Sequence, residues 1–176
     1  SNTHKTGTDR IYEALKKSNI KNVDFVINLQ GDEPAINAKD IVSLSKKMIN
    51  SQSSLGTLAA TIKNNKFFKD TNIVKVLTEK DLTKDNFPKA LSFVRKAEII
   101  NNTYHHVGIY CYSVDVLEKF VKLGQTQNEI KNKLEQLRAL DNKIDINVSL
   151  AKSSPIGVDT KEDYMALKKI MEYKNL

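Results

Sequence analysis

Short runs of β-type sequence alternate with helix-type repeats along this chain, and that alternation restricts its fold more than any other feature. Residues 23–30, 55–62, 73–77, 90–94, 107–112 and 144–150 read as strands, because they are apolar and rich in β-branched or aromatic side chains. Between them, residues 9–17 carry Ile11, Ala14 and Leu15 at helical spacing, with Thr8 placed to cap the start. Ile41, Leu44, Met48 and Ile49 mark the apolar face of a second helix, and residues 114–123 and 128–140 are helical by pattern. Residues 160–173 close the chain as an amphipathic helix with Tyr164, Leu167, Ile170 and Met171 on one side. Strands alternating with helices predict an α/β layered domain with a mixed, largely parallel sheet. The polar stretches 64–72 and 80–89 read as loops, and no internal repeat or low-complexity linker interrupts the pattern.

The chain has 176 residues, enough for a single domain with a proper core spanning 1–176. No apolar run reaches the length of a membrane span and there is no secretory signal. The one cysteine, Cys111, lies in an apolar segment, which removes a disulfide framework or a cysteine-based zinc site and fits a reducing, cytoplasmic home. A net charge of +7 comes mostly from lysines spread along the chain rather than gathered in a stripe. That distribution argues against nucleic acid and for a solvated basic surface or an anionic small-molecule substrate. The sequence opens on Ser1 and enters helix-forming residues almost at once, as a piece of a longer chain would.

Four short constellations carry possible chemistry. Thr6-Gly7-Thr8-Asp9-Arg10 sets hydroxyls and backbone N–H groups ahead of a helix, where they can hold an anion or simply cap the helix. Gln30-Gly31-Asp32-Glu33-Pro34 follows a strand; it reads either as an ordinary turn or as a carboxylate in the crevice beyond a strand end, suited to Mg²⁺. Asp159, after Gly157 and Val158, enters the last helix, where it can cap that helix or converge with Asp32 on one cation. Along a strand, His106, Gly108 and Tyr110 share a face while His105 points away, so the adjacent histidines make a poor metal pair. Cys111 is expected as a small core residue. Glu135, Gln136 and Arg138 are expected on the surface of a helix.

Taken together these pieces resemble the 3-deoxy-manno-octulosonate cytidylyltransferases, the CMP-Kdo synthetases. The matching stretches are Thr6 to Arg10, Asn28 to Pro34, Leu58-Ala59, Asn72 to Val76, Phe93 to Arg95, His106 to Tyr110, Leu134 to Arg138 and Gly157 to Thr160. They cover nearly the whole chain. The resemblance implies a nucleotide-diphospho-sugar transferase-like three-layer sandwich acting as a cytoplasmic homodimer. It implies transfer of CMP from CTP to 3-deoxy-manno-octulosonate (Kdo), with release of pyrophosphate, for lipopolysaccharide assembly. Carried over by position, Asp32 and Asp159 are the catalytic Mg²⁺ ligands, and Thr6, Gly7, Thr8, Arg10 and Gln30 lie near the nucleotide. Arg95, His106, Tyr110, Glu135 and Gln136 hold the sugar acid, Arg95 supplying a cationic fork for its carboxylate.

Departures from the family pattern bear on activity, through the front end, and on sugar specificity, through residues 96–103 and His105. The family's N-terminal strand and basic phosphate loop are lacking here, which should leave sheet edges exposed and turnover low. The connection over residues 96–103 is short, and His105 stands where the family usually has arginine. Two alternatives follow: a cytidylyltransferase for a related acid sugar (8-amino-Kdo or a nonulosonic acid), or a non-catalytic nucleotide-binding or interaction domain of the same fold.

Overall fold

The computed structural model describes residues 4, 6–31, 34–98, 100–152 and 161–174. In chain order the elements are α1 (Gly7–Lys17), β1 (Phe25–Asn28), α2 (Ala38–Ser51), β2 (Leu55–Ala60), α3 (Lys66–Lys69), β3 (Lys75–Thr78) and β4 (Ala90–Val94). There follow β5 (Thr103–Ser113), α4 (Val114–Lys122), α5 (Gln127–Asn132), α6 (Leu137–Asp141), β6 (Asn147–Leu150) and α7 (Lys161–Lys174).

The sheet is organised by β5, which is long enough to serve three neighbours. Its start pairs with β3, its end with β1, and its other edge with β2, all antiparallel. The order β4-β3-β5-β2-β6 is completed by a parallel pairing of β2 with β6. The expected mixed α/β sheet is therefore present, with a different balance of pairings. The strands β1, β2, β3 and β6 do run in one direction, but β5 lies among them and runs against them, so only β2 and β6 pair in parallel. The cause lies between residues 78 and 103, where β3, β4 and β5 succeed one another without a helix; a parallel neighbour would need a crossover there. The one parallel pair, β2 and β6, has α4, α5 and α6 within its connection.

Side-chain alternation on β5 splits the core into two layers. Val107, Ile109 and Cys111 face one way and pack with Leu44 and Met48 of α2, Leu58 and Ala60. Tyr104, Tyr110 and Tyr112 face the other way, towards Leu117 and Phe120 of α4 and Leu137 and Ala139 of α6. Helices thus cover both faces, which is the three-layer arrangement. Cys111 is fully buried, and burial pushes its thiol pKa up to about 11, as befits a core residue.

Several local expectations change. The cap of α1 is Thr6, whose hydroxyl accepts from the Asp9 N–H while the Asp9 carboxylate accepts from the Thr6 N–H; Thr8 is buried instead. Ile49 is exposed on α2, whose buried stripe is Asp40, Leu44 and Met48. The helix expected over 128–140 is two short helices, because Lys133 adopts a left-handed conformation (φ 53°) and ends α5. On α7, Leu167 is buried and Tyr164 exposed. The loop at 64–72 contains the single turn α3. Among the described residues no helix is long and apolar enough to cross a membrane.

Candidate active site

The face of β5 that carries His106 is lined by aromatic rings. Phe93 meets His106 edge-on at 5.1 Å between centroids, and His106, Tyr110, Tyr112 and Phe120 continue the row at 5.4, 5.9 and 6.1 Å. At its end the Arg138 guanidinium sits over the Phe120 ring, 4.7 Å from the centroid. The shared face expected for His106 and Tyr110 is found. Burial, then the neighbouring His105, holds the His106 imidazole down to about 3, so the ring is neutral in ordinary buffers. Its Nε2 lies 3.0 Å from the Thr57 hydroxyl of β2.

Among the described residues, the Tyr110 hydroxyl and Glu135 Oε1 are buried in this region without a hydrogen-bond partner. Burial, Tyr112 and Glu135 together keep the Tyr110 phenol well above its ordinary pKa, so it is a neutral donor. Thr57 approaches this phenol too, but not in hydrogen-bonding geometry. A buried hydroxyl and carboxylate oxygen that lack hydrogen bonds are costly, and a polyhydroxylated ligand is the kind of molecule that would supply both.

Glu135 does not sit on the surface of a long helix, as expected, but in the break between α5 and α6. Arg138, expected at the surface, is 2% exposed. Its Nε and Nη2 donate to Glu129 Oε2 and Oε1 at 2.8 and 2.5 Å, and Glu135 Oε1 stands 4.0 Å from Nη2. Gln136 is half-buried and opens α6 without capping it through its side chain.

The Thr6–Arg10 segment lies beside this row. Thr8 stands beside the Tyr112 phenol, and Thr6 and Asp9 line a cleft of about 310 Å³ with His4, Gln125 and Arg138. Arg10 is exposed and its Nη2 passes near Gly7. Gln30 also converges here: its carboxamide lies against Gly108 of β5, because β1 ends opposite Tyr110 and the chain continues past the next turn of that strand. Gly31 is not in a left-handed conformation and a Cβ there would meet open space, so it supplies access rather than a special turn.

Arg95 is committed to the backbone. Its Nε, Nη1 and Nη2 donate to the carbonyls of Asn132, Thr71 and Lys133 at 3.0, 3.1 and 3.1 Å, clamping the end of α5. A guanidinium has five N–H groups, so two remain for a carboxylate. Asp32 and Asp159 lie outside the described residues. Among the described residues no three His, Cys, Asp or Glu side chains gather in a way that could hold a metal ion. The strands β1 and β6 run in the same direction and so end at the same end of the sheet. Those strand ends are three strand steps apart, each about 4.8 Å.

Comparison with known proteins decides the family. The cytidylyltransferase family model matches residues 1–146. The chain is 39% identical over 171 residues to the 3-deoxy-manno-octulosonate cytidylyltransferase of Bartonella henselae, covering 96% of this chain and 70% of that protein. The chain belongs to the 3-deoxy-manno-octulosonate cytidylyltransferases. A family member from Thermodesulfovibrio yellowstonii is 39% identical over 182 residues, 97% of this chain and 71% of that one. Among solved structures, a CMP:2-keto-3-deoxy-manno-octonic acid synthetase complexed with CTP superposes with a TM-score of 0.84 at 31% identity, over 98% of this chain and 70% of that one. An apo UDP-glucose pyrophosphorylase, 13% identical with a TM-score of 0.61 over 99% of this chain and 62% of that one, shares the fold alone.

Around this candidate site, four residues were not singled out in the sequence. Thr57 reads there as one more strand residue, Tyr112 as a core aromatic, and Glu129 as a solvated helix charge. Lys75 is fully buried and donates to the carbonyls of Asp70, Ile73 and Arg95, tying the arginine strand to the loop before β3. The only signal for Glu129 was its place three residues after Thr126, the spacing of a capping box.

Proposed function

We propose that this chain transfers CMP from CTP to Kdo. In that reaction the anomeric hydroxyl oxygen attacks the α-phosphorus, the bond to the β-phosphate breaks, pyrophosphate leaves with the electron pair, and the hydroxyl proton passes to solvent. The observation that carries this reading is the pair of buried groups without a hydrogen-bond partner among the described residues, Tyr110 Oη and Glu135 Oε1, beside a neutral His106. A donor, an acceptor and an imidazole suit the hydroxyls of a sugar. Arg95 would offer its two remaining N–H groups to the sugar carboxylate. Thr6, Gly7, Thr8, Arg10 and Gln30 would bound the nucleotide. The related acid sugars are less favoured, because the relatives at 36–39% identity are named for Kdo.

Asp32 and Asp159 would hold Mg²⁺, a fit supported by the chemistry of the set: two hard carboxylates that follow in sequence strands β1 and β6, which end at the same end of the sheet. When bound, the ion neutralises phosphate charge and orients the in-line displacement. The chain's own residues then need only bind, orient and exclude water, and no protein base is assigned.

The test pairs calorimetry with pyrophosphate release. Mg²⁺-dependent CTP binding, lost in an Asp32→Ala, Asp159→Ala double variant, is expected. Pyrophosphate release should be fastest with Kdo among Kdo, 8-amino-Kdo and a nonulosonic acid. Equal CTP binding by both proteins would remove the metal assignment, and a preference for another acid sugar would replace the substrate.

A further inference from the structure

The pairing of β2 with β5 is interrupted at one place. Thr57 pairs with Tyr110 but Leu58 with Val107, so Gly108 and Ile109 bulge out of register. The bulge brings two β5 carbonyls to one side chain: Thr57 Oγ1 lies 2.8 Å from the Ile109 oxygen and 3.3 Å from the Val107 oxygen. Neither carbonyl carries a proton, and a threonine hydroxyl has one. At 2.8 Å between oxygens that proton must lie on the line to Ile109. The contact between Thr57 Oγ1 and His106 Nε2, at 3.0 Å, then has no hydrogen left to come from the threonine, so the imidazole must donate. Thr57 is fully buried, so bulk solvent does not reach its hydroxyl.

We infer that Thr57 is a positioning residue that fixes His106 as the Nε2–H tautomer, leaving Nδ1 as an obligate hydrogen-bond acceptor for a hydroxyl of the sugar acid. The substrate half of this inference rests on the proposed function; the tautomer half does not. With Tyr110 a neutral donor and His106 an acceptor, the two neighbouring rings, 5.4 Å apart, present opposite polarity to a ligand. Such a pair selects a sugar hydroxyl that both donates and accepts, and disfavours an ammonium or a methyl at the same place.

The experiment is ¹⁵N NMR of histidine-labelled protein without ligand at neutral pH, with the His106 signals assigned by their loss in His106→Gln. A single neutral Nε2–H form is expected in the unaltered protein and in Thr57→Ser, and a mixed or Nδ1–H form in Thr57→Val. An Nδ1–H form in the unaltered protein, or an unchanged Nε2–H form in Thr57→Val, overturns the inference. Should Thr57→Val not fold, the spectrum of the unaltered protein still decides. Titration with Kdo should show about tenfold weaker binding by Thr57→Val, near-normal binding by Thr57→Ser, and unchanged CTP binding by both. Kdo binding by Thr57→Val as tight as that of the unaltered protein overturns the substrate half. Failure of the unaltered protein to bind Kdo, with the Nε2–H form intact, instead sinks the proposed function and leaves the role of Thr57 standing.

Discussion

The Gln30 carboxamide rests against the backbone of Gly108, so close that a Cβ added to Gly108 would lie 3.5 Å from Gln30 Oε1. This contact joins the end of β1 to the bulged segment of β5, and with it the proposed nucleotide side of the site to the sugar side. A methyl at ordinary contact distance is tolerated, whereas a branched side chain must displace the amide. Gly108→Ala should therefore change stability by less than about 1 kcal/mol in urea unfolding. Gly108→Val should unseat Gln30 and weaken CTP binding in calorimetry. Unimpaired CTP binding by the valine variant would remove Gln30 from the nucleotide site.

Tyr110 separates stability from function. Its hydroxyl is buried without a partner, and removing an unsatisfied buried group costs nothing and relieves desolvation. Tyr110→Phe should accordingly be as stable as the unaltered protein or more so, by up to about 1 kcal/mol. The same change should raise KM for the sugar about tenfold, the loss of one hydrogen bond. A destabilised phenylalanine variant would mean that the hydroxyl has a partner after all.

What could be read from the sequence follows from range. Local signals held in part: the 3.6-residue repeats located α1, α2, α4 and α7 but ran α5 and α6 together and missed α3, while period-two alternation placed His106 and Tyr110 on one face, and Cys111 lies in the core as expected. Long-range pairing was not legible. Nothing in the residues around Thr57 announces a bulge created 50 residues away, and nothing in Glu129 announces that Arg138 will fold back onto it. The antiparallel pairings around β5 were missed for the same reason, since the direction of a neighbour depends on which strands meet. Arg95 was read by its charge, but its guanidinium is held by the carbonyls of Asn132 and Lys133, where a left-handed Lys133 ends α5.

Acid should weaken the fold through His106. Its pKa is about 3 in the folded chain, against about 6.5 when unfolded, so the unfolded state binds the extra proton first. The stability due to the neutral buried ring is fully present above pH 6.5 and is lost as pH falls towards 3. Urea midpoints should drop steadily over that window, and less steeply in His106→Gln. A sugar-binding profile with an inflection near pH 6.5 that disappears in this variant would show that the ring titrates freely and is not enclosed as described.

The Glu129–Arg138 pair makes the sharpest stability prediction. Both side chains are almost wholly enclosed, 4% and 3% exposed, and the two guanidinium hydrogen bonds meet one carboxylate. Burial alone would raise the Glu129 pKa, but hydrogen bonds from Arg138 and Gln125 and the charge of Arg138 bring it below the ordinary carboxylate range. A lowered carboxylate contributes stability that is present above about pH 4.3 and lost as pH falls through the folded value. Removing one partner leaves an uncompensated charge in the core, so Glu129→Ala should cost about 3–5 kcal/mol in urea unfolding at pH 7. Replacing both by apolar residues, as in Glu129→Leu with Arg138→Met, removes that uncompensated charge and should cost less than the single change. The double variant also releases Glu135 from the cation 4.0 Å away, so sugar affinity should fall even where stability is recovered. If the double variant proves less stable than Glu129→Ala, the pair contributes more than charge balance, and the stacking of the Arg138 guanidinium over Phe120 outweighs it.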